Sequence, residues 1–181
     1  MFDVNLGDGF ILKEVSLDEL GQVLDVHYAR SFSNRANALA NASLRPPSEK
    51  LKERRKGMNT YFLRMVLYKN SEVVGWHFGN SSDAETYYMK NSVVLKNFRQ
   101  QGLYSRMLTA VLEILQQEGF EVVTSLHHPN NPAILIPKLK AGFVITGTQI
   151  HERFRFLIEL RYYFDPNRRA VLNENIGLVD I

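Results

Sequence analysis

The sequence lacks cysteine, long apolar runs and a strong excess of charge. With no Cys among its 181 residues, disulfide bonds, thiolate metal sites and a cysteine nucleophile are excluded. No segment approaches the roughly 20 apolar residues of a membrane-spanning helix, and the N-terminal segment has neither the basic start nor the apolar core of a signal peptide. We therefore expect a cytoplasmic protein that has no membrane partner.

Charge of the two signs is nearly balanced. Lys and Arg number 22 and Asp and Glu 19, so the formal net charge is +3, which mildly favours an anionic ligand and is too weak to indicate nucleic acid by itself. The most basic segment, Ser48–Lys56, intersperses its cations with acids and contains no stacking aromatic residue. A solvent-exposed helix is therefore favoured there over a nucleic-acid-binding one.

Composition and apolar periodicity predict one mixed α/β domain with a largely antiparallel sheet. Hydrophobic residues make up 45% of the chain and charged residues 23%, and a chain of this length fits one core of about 100–200 residues. Strands are predicted at Phe10–Val15, Thr60–Tyr68, Glu72–Phe78, Glu85–Leu95, Phe120–Leu126 and Phe154–Phe164. Helices are predicted after a Ser16/Glu19 capping box, over Gly102–Glu118 and from Pro132 to Ala141, and residues 165–181 as a C-terminal tail.

One segment combines a strand, a short polar loop and a helix in a way that suits an anionic ligand. It comprises Val93, Val94, Leu95, Lys96, Asn97, Phe98, Arg99, Gln100, Gln101, Gly102, Leu103, Tyr104 and Ser105. The first amides of a helix have no internal partner and lie at the positive end of its dipole, so they can hold a phosphate. Gly102 allows close approach of the backbone, and Arg99 adds a positive charge.

This segment resembles the acetyl-CoA signature of the GNAT acetyltransferase superfamily, which reads Arg or Gln, two residues, Gly, one residue, then Gly or Ala. Arg99 and Gly102 match it after a strand that ends near Val94, whereas Tyr104 occupies the second small position. The resemblance implies one GNAT-like domain over residues 1–181 that uses acetyl-CoA as cosubstrate and needs no metal. It also implies that the loop residues Val93–Leu95 and Arg99–Ser105 contact the cofactor.

A second segment of the chain, from Asn131 to Phe143, resembles the later helix of the same family. Asn131 is implied as a further cofactor contact. Many members have a tyrosine seven residues after this Asn that protonates the leaving thiolate, and here that position is Lys138. Because the tyrosine is absent, the resemblance carries no such role over to Lys138. A thiol with a pKa of about 8.5 leaves comparatively easily, so loss of the tyrosine need not abolish the reaction.

Acyl transfer to an amine also needs a donor for the oxyanion and a way to deprotonate the amine. The resemblance assigns the oxyanion donor to the main-chain amide of Val94. Candidate bases are Glu85 and Tyr87 on the third strand of the meander and His127 or His128 after the Phe120–Leu126 strand, with transfer through water as an equal alternative. The non-catalytic alternatives are that Glu85 is a solvated surface carboxylate and that the two histidines form a turn that caps the strand.

The sequence thus predicts an acetyl-CoA-dependent N-acetyltransferase that acts on a primary amine of a small molecule or a peptide. The alternatives are an acyl-CoA-binding module without turnover and, less favoured, a nucleic-acid-associated protein. Residues 33–58 are expected to form a wall of the acceptor site by analogy with the family. A homodimer is possible, because the Phe154–Phe164 strand and the tail could cover either this subunit or a partner.

Overall fold

The structure is a computed structural model that describes residues 1–32, 46–152 and 154–175. The expected acceptor wall therefore lies partly outside the described residues. The described chain forms one eight-stranded sheet in the order β1-β2-β3-β4-β5-β6-β8-β7, with five α-helices around it. Only β5 and β6 pair in parallel, so the predicted fold, a mixed and largely antiparallel sheet in a single domain, is confirmed.

The strands and helices have the following bounds. The strands are β1 Asp3–Gly7, β2 Phe10–Glu14, β3 Phe62–Lys69, β4 Glu72–Ser81, β5 Thr86–Val94, β6 Val122–His127, β7 Val144–His151 and β8 Arg155–Tyr163. The helices are α1 Leu17–Ser31, α2 Glu49–Lys56, α3 Leu103–Gln117, α4 Pro132–Lys140 and α5 Pro166–Asn175, and a 3-10 turn spans Lys96–Phe98. No described helix is long and apolar enough to cross a membrane.

Helices cover both faces of the sheet because the strands place apolar side chains on both. On one face α3 contributes Leu103, Met107, Leu108, Val111 and Leu115 to the larger core. On the other face α1 packs Leu20 and Val23 against Trp76 of β4. Helix α1 begins at the predicted capping box, since Ser16 Oγ accepts from the Glu19 amide and the Glu19 carboxylate accepts from the Ser16 amide.

Two terminal elements differ from the sequence predictions. Strand β1 was not predicted, because it is short and largely exposed, and it is held by pairing with β2 and by Arg106 of α3, which donates to the Leu6 carbonyl and to Asp8. The expected tail contains α5, which is tied to the domain where Arg168 pairs with Glu85. The exposed helix predicted within Ser48–Lys56 is present as α2, which has no buried residue.

Candidate functional site

The neighbouring parallel strands β5 and β6 pair only at their beginnings. Three residue pairs, from Thr86 with Val122 to Tyr88 with Thr124, join them before the strands separate. A bulge on β5 lies at the separation, because Met89 pairs with Gly79 and Asn91 with Phe78, which leaves Lys90 as an extra residue. Bulges bend a strand and increase its twist, so this one explains why β5 turns away from β6.

The separation opens a cleft of about 660 Å³. Strand β5, the loop that follows it, the start of α3, the end of β6 and helix α4 form its walls, and the end of α1 reaches it through Ser31 and Phe32. A volume of this size is typical of small-ligand sites. Of the residues predicted from the sequence, those that line the cleft are Val93, Val94, Arg99, Gln100, Gly102, Leu103, Tyr104, Ser105, His127 and Asn131.

Main-chain amides of β5 point into the cleft. The Leu95 amide donates to the Val74 carbonyl of β4 at 2.9 Å. Successive residues of an antiparallel strand point their amides alternately to opposite sides, so the amides of Ser92 and Val94 point away from β4 and into the gap left by β6. On the same side, the Val94 carbonyl accepts from Nε of Arg99 at 3.0 Å. The gap therefore offers two main-chain donors.

The loop before α3 presents further main-chain donors. Gln100 and Gly102 have φ values of 63° and 70°, and no side chain of the described residues caps the helix. The first amide that bonds back to Gly102 is that of Arg106, so the amides of residues 103–105 have no acceptor within the helix. A left-handed conformation at the non-glycine Gln100 costs about 1 kcal/mol, which is typical of backbone strained for function. These amides and the helix dipole suit a phosphate.

Lys138 of α4 is fully buried at the point where the strands separate. Its Nζ donates to Ser125 Oγ at 2.7 Å and contacts Met89 Sδ at 3.3 Å. It also lies 4.7 Å from the centroid of the Phe143 ring. Burial removes the ammonium from water and lowers the pKa of Lys138 to about 7. Lys138 is thus a titratable group near neutrality in the wall of the cleft.

A chain of hydrogen bonds runs from the cleft into the core. Ser92 Oγ lies 2.7 Å from Nδ1 of His77, and Nε2 of His77 lies 3.0 Å from the Tyr87 hydroxyl. Burial, with a smaller effect from Lys138, lowers the pKa of His77 to about 3, so its ring is neutral at pH 7. Burial raises the pKa of Tyr87. The Tyr87 hydroxyl can donate to Nε2 of His77, and Nδ1 of His77 can then donate to Ser92 Oγ. In this arrangement the Ser92 hydroxyl keeps its own hydrogen free to donate into the cleft.

The Tyr104 side chain brings a buried hydroxyl to the cleft. This hydroxyl has no hydrogen-bond partner among the described residues. Burial raises the pKa of Tyr104, so the group is a neutral phenol that can donate a hydrogen bond. A buried polar group without a partner costs about 1–3 kcal/mol, which a ligand that bonds to it would recover.

Besides His128, four of the predicted site residues do not line the cleft. The main-chain amide of Leu95 donates to β4, on the side away from the cleft. The Gln101 carbonyl accepts from Arg106. Tyr87 is buried beneath the cleft and reaches it only through His77 and Ser92. Glu85 lies at the opposite end of β5, exposed and paired with Arg168 through both carboxylate oxygens. The geometry therefore gives no support to Glu85 as a base for chemistry in the cleft.

The two candidate histidines lie in different surroundings. His127 lines the cleft with Nε2 3.1 Å from Ser125 Oγ. Nδ1 of the neighbouring His128 accepts from the Asn130 amide, so His128 caps the turn, which is the non-catalytic role considered for these histidines. Among the described residues, no group of acidic and histidine side chains could hold a metal ion.

Sequence reasoning missed Ser92, His77 and the burial of Lys138. Ser92 and His77 face each other because the register of β4 and β5 pairs them, and a register is not visible in a single strand. A usable signal for Lys138 was its place in an apolar helix, Pro-Ala-Ile-Leu-Ile-Pro-Lys-Leu-Lys, where a lysine on the inner face is unusual.

Comparisons with known proteins agree with this geometry. A family model described as "Acetyltransferase (GNAT) family" matches residues 28–143. A GNAT family acetyltransferase from Elizabethkingia anophelis with acetyl-CoA bound is 16% identical, with 87% of this chain and 100% of that chain covered and a TM-score of 0.61.

Two further solved structures are similar in the same way. The Salmonella typhimurium acetyl transferase that modifies the N-terminal serine of ribosomal protein L7/L12 is 12% identical, with 91% and 100% covered and a TM-score of 0.63. Spermidine N-acetyltransferase from Vibrio cholerae, in complex with CoA and spermine, is 13% identical, with 87% and 96% covered and a TM-score of 0.60. No curated protein sequence matches the chain significantly. At these identities the solved structures show a shared fold.

Proposed function

Because the protein belongs to the GNAT acetyltransferase family, we propose that it transfers the acetyl group of acetyl-CoA to a primary amine of a small molecule or a peptide. The observation that carries the proposal is the cleft between β5 and β6, which ends at the uncapped N-terminus of α3. One end offers donors for a pyrophosphate and the other offers donors and a titratable group for acyl transfer. Acetyl-CoA needs both ends.

The diphosphate of acetyl-CoA fits the start of α3. The amides of residues 103–105 and the positive end of the helix dipole favour the anion, and Arg99 adds a charge through terminal amino groups that its bond to Val94 leaves unused. The Tyr104 hydroxyl is a further donor for the bound cosubstrate. Gly102 adds no side chain at the point of closest approach.

The arm that joins the diphosphate to the thioester runs back along β5. A strand rises about 3.3 Å per residue, so an extended arm passes Val94 before Ser92. This order supports the Val94 amide as a contact for the arm and the Ser92 amide as the donor to the developing oxyanion. Sequence reasoning assigned that second role to Val94, and both amides have the required orientation.

The acceptor amine must lose a proton, and no carboxylate lines the cleft in the described part of the chain. His127 at the cleft wall and a water molecule are the available bases. A second cavity of about 330 Å³ shares Leu126 with the cleft, and its charged lining residues are Asp83, Glu85, Glu159 and Arg161. Although Arg161 pairs with Glu159 and Arg168 with Glu85, the three carboxylates outnumber the one cation in this lining, which favours approach of a cationic amine from that side.

The test is calorimetric titration of acetyl-CoA into the wild type and into Gly102→Glu, with Gly102→Ala as the matched control. Both variants place a side chain at the same positive φ, and a Cβ there meets open space, so they differ in charge and length at the anion site. We expect saturable binding by the wild type, affinity reduced on the order of 100-fold by the glutamate, and a much smaller loss with alanine.

Turnover separates the enzyme from its alternatives. Release of free CoA in the presence of a panel of primary amines, including polyamines and peptides with free N-termini, is the expected result. Tight binding of acetyl-CoA without CoA release on a broad panel would favour the non-catalytic module. No binding by a folded wild type would contradict the proposal, and steeply salt-dependent binding to DNA or RNA would then favour the third hypothesis.

A further inference from the structure

Lys138 places a buried cation where the thioester of acetyl-CoA would lie. Its two polar contacts within the described residues are Met89 on β5 and Ser125 on β6, and each is the first residue after the last pair that joins these strands. The ammonium therefore bridges the strands at the point of separation. The inference drawn from this position rests on the proposed function.

We propose that the ammonium group of Lys138 is the general acid that protonates the sulfur of CoA as it leaves. The ammonium has three hydrogens, and one is held by Ser125, so another can point toward the cleft. Within the described part of the chain Lys138 forms no ion pair, and no carboxylate lines the cleft. A buried cation without an anionic partner is costly, which indicates a role other than stability.

In this reaction Lys138 gives one proton to the leaving sulfur and regains one from the attacking amine. Collapse of the tetrahedral intermediate breaks the carbon–sulfur bond, and the electron pair goes to sulfur. A proton moves from Nζ to sulfur and yields the free thiol of CoA. The attacking amine loses one proton as its amide bond forms, and this proton restores the ammonium. Ser125, which also lies 3.1 Å from His127 Nε2, gives that proton a hydrogen-bonded path from the cleft wall.

The energetics of the transfer favour this direction. Burial lowers the pKa of Lys138 to about 7, whereas a thiol has an ordinary pKa of about 8.5, so the ammonium is the stronger acid of the two. At pH 7 about half of the lysine would be charged before CoA binds. The titratable or charged groups that line the cleft with Lys138 are Lys90, Arg99, Tyr104 and His127, and the hydrogen-bonded pair His77 and Tyr87 lies behind Ser92. None is an acid that would hold the proton on Lys138.

The first experiment measures the acidity of the CoA thiol in the binary complex, which needs no acceptor amine. Thiolate ultraviolet absorbance is titrated with pH for CoA bound to the wild type, to Lys138→Met and to Lys140→Met. Methionine has a similar length and no charge, and Lys140 is an exposed lysine on the same helix. We expect a thiol dissociation constant about tenfold lower with Lys138→Met and unchanged with Lys140→Met. Equal acidity in all three proteins would contradict the placement of Lys138 beside sulfur.

The second experiment measures turnover with an amine that the wild type acetylates. With Lys138→Met, kcat is expected to fall on the order of 100-fold while the acetyl-CoA KM changes little, because a general acid contributes about that factor. In the wild type the rate should fall as pH rises through the pKa of Lys138, and this alkaline limb should be lost in the variant. Lys138→Arg keeps the charge but cannot release a proton, so it should remain slow.

Three results would overturn the inference while leaving the proposed function intact. They are full activity in Lys138→Arg, an unchanged pH profile in Lys138→Met, and acetylation of Lys138 itself when mass spectrometry follows incubation with acetyl-CoA alone. The last result would make Lys138 a nucleophile. If the folded wild type binds neither CoA nor acetyl-CoA, the proposed function fails first and the inference fails with it.

Discussion

The two ends of the cleft offer donors of different kinds. At the start of α3 the donors are main-chain amides of a solvent-accessible loop, set by two left-handed residues, Gln100 and Gly102. At the separation of β5 and β6 the polar groups are side chains held in the core, among them Lys138 and His77. Binding an anion needs only positive potential and free amides. Proton transfer needs groups whose pKa lies near the working pH, and burial brings the pKa of Lys138 into that range.

The difference predicts that a glycine-to-alanine substitution costs more stability at the inner end, where β5 and β6 separate, than at the outer end, at the start of α3. A Cβ at Gly79 would overlap the Tyr88 carbonyl and the Tyr87 hydroxyl, whereas a Cβ at Gly102 meets nothing. We expect Gly79→Ala to lower the free energy of unfolding by about 3 kcal/mol, because packed backbone must move. Gly102→Ala should cost about 1 kcal/mol, from its positive φ alone. Urea unfolding of both variants measures this, and equal losses would mean that the inner end is not more tightly packed.

A smaller effect tests the hydrogen-bonded chain at the inner end. Tyr87→Phe removes the partner of His77 Nε2 and leaves a buried ring nitrogen unpaired, which should lower the free energy of unfolding by about 2 kcal/mol. The matched control is Tyr61→Phe, because the Tyr61 hydroxyl is buried, lies without a partner among the described residues, and its ring packs against Phe120 as Tyr87 does. That control should be neutral or stabilising.

The steady-state kinetics of Tyr87→Phe and Tyr61→Phe test whether the hydrogen-bonded chain also serves catalysis. If the chain orients Ser92 toward the acetyl group, Tyr87→Phe should reduce kcat more than it raises the acetyl-CoA KM, while Tyr61→Phe leaves both unchanged. A Tyr87→Phe enzyme that is less stable yet has wild-type kcat would show that the chain serves packing only.

The sequence could reveal the outer end because that end is local. Arg99, Gly102 and the helix after them lie within a few residues, and free amides follow from any helix start. The inner end is assembled from separate elements, since Lys138 meets Met89 across 49 positions of sequence. From the sequence, Lys138 was only a departure from a family pattern. Its lowered pKa depends on burial, which the fold supplies and the neighbouring residues do not reveal.

The same distinction explains what was found and missed in the fold. The amphipathic helix at Gly102–Glu118 was predicted well, because eight of its residues are buried at helical spacing. Strand β1 and helix α5 carry weak patterns, and each is held by an arginine that reaches a distant element, Arg106 to Leu6 and Arg168 to Glu85. Long-range polar contacts of this kind have no periodic signature.

The smallest expected effect concerns Tyr104, which lies between the two ends. Its hydroxyl is buried without a partner among the described residues, so removing it should not destabilise the free protein. If the bound cosubstrate accepts a hydrogen bond from it, Tyr104→Phe should weaken acetyl-CoA binding about fivefold, equivalent to about 1 kcal/mol. Calorimetry and thermal unfolding measure the two quantities on the same samples. Tyr61→Phe, which loses a similar hydroxyl away from the cleft, should show no change in affinity. Unchanged affinity in Tyr104→Phe would mean that the tyrosine at this position only fills space, and that the amides of the α3 loop and Arg99 hold the cosubstrate at this end without it.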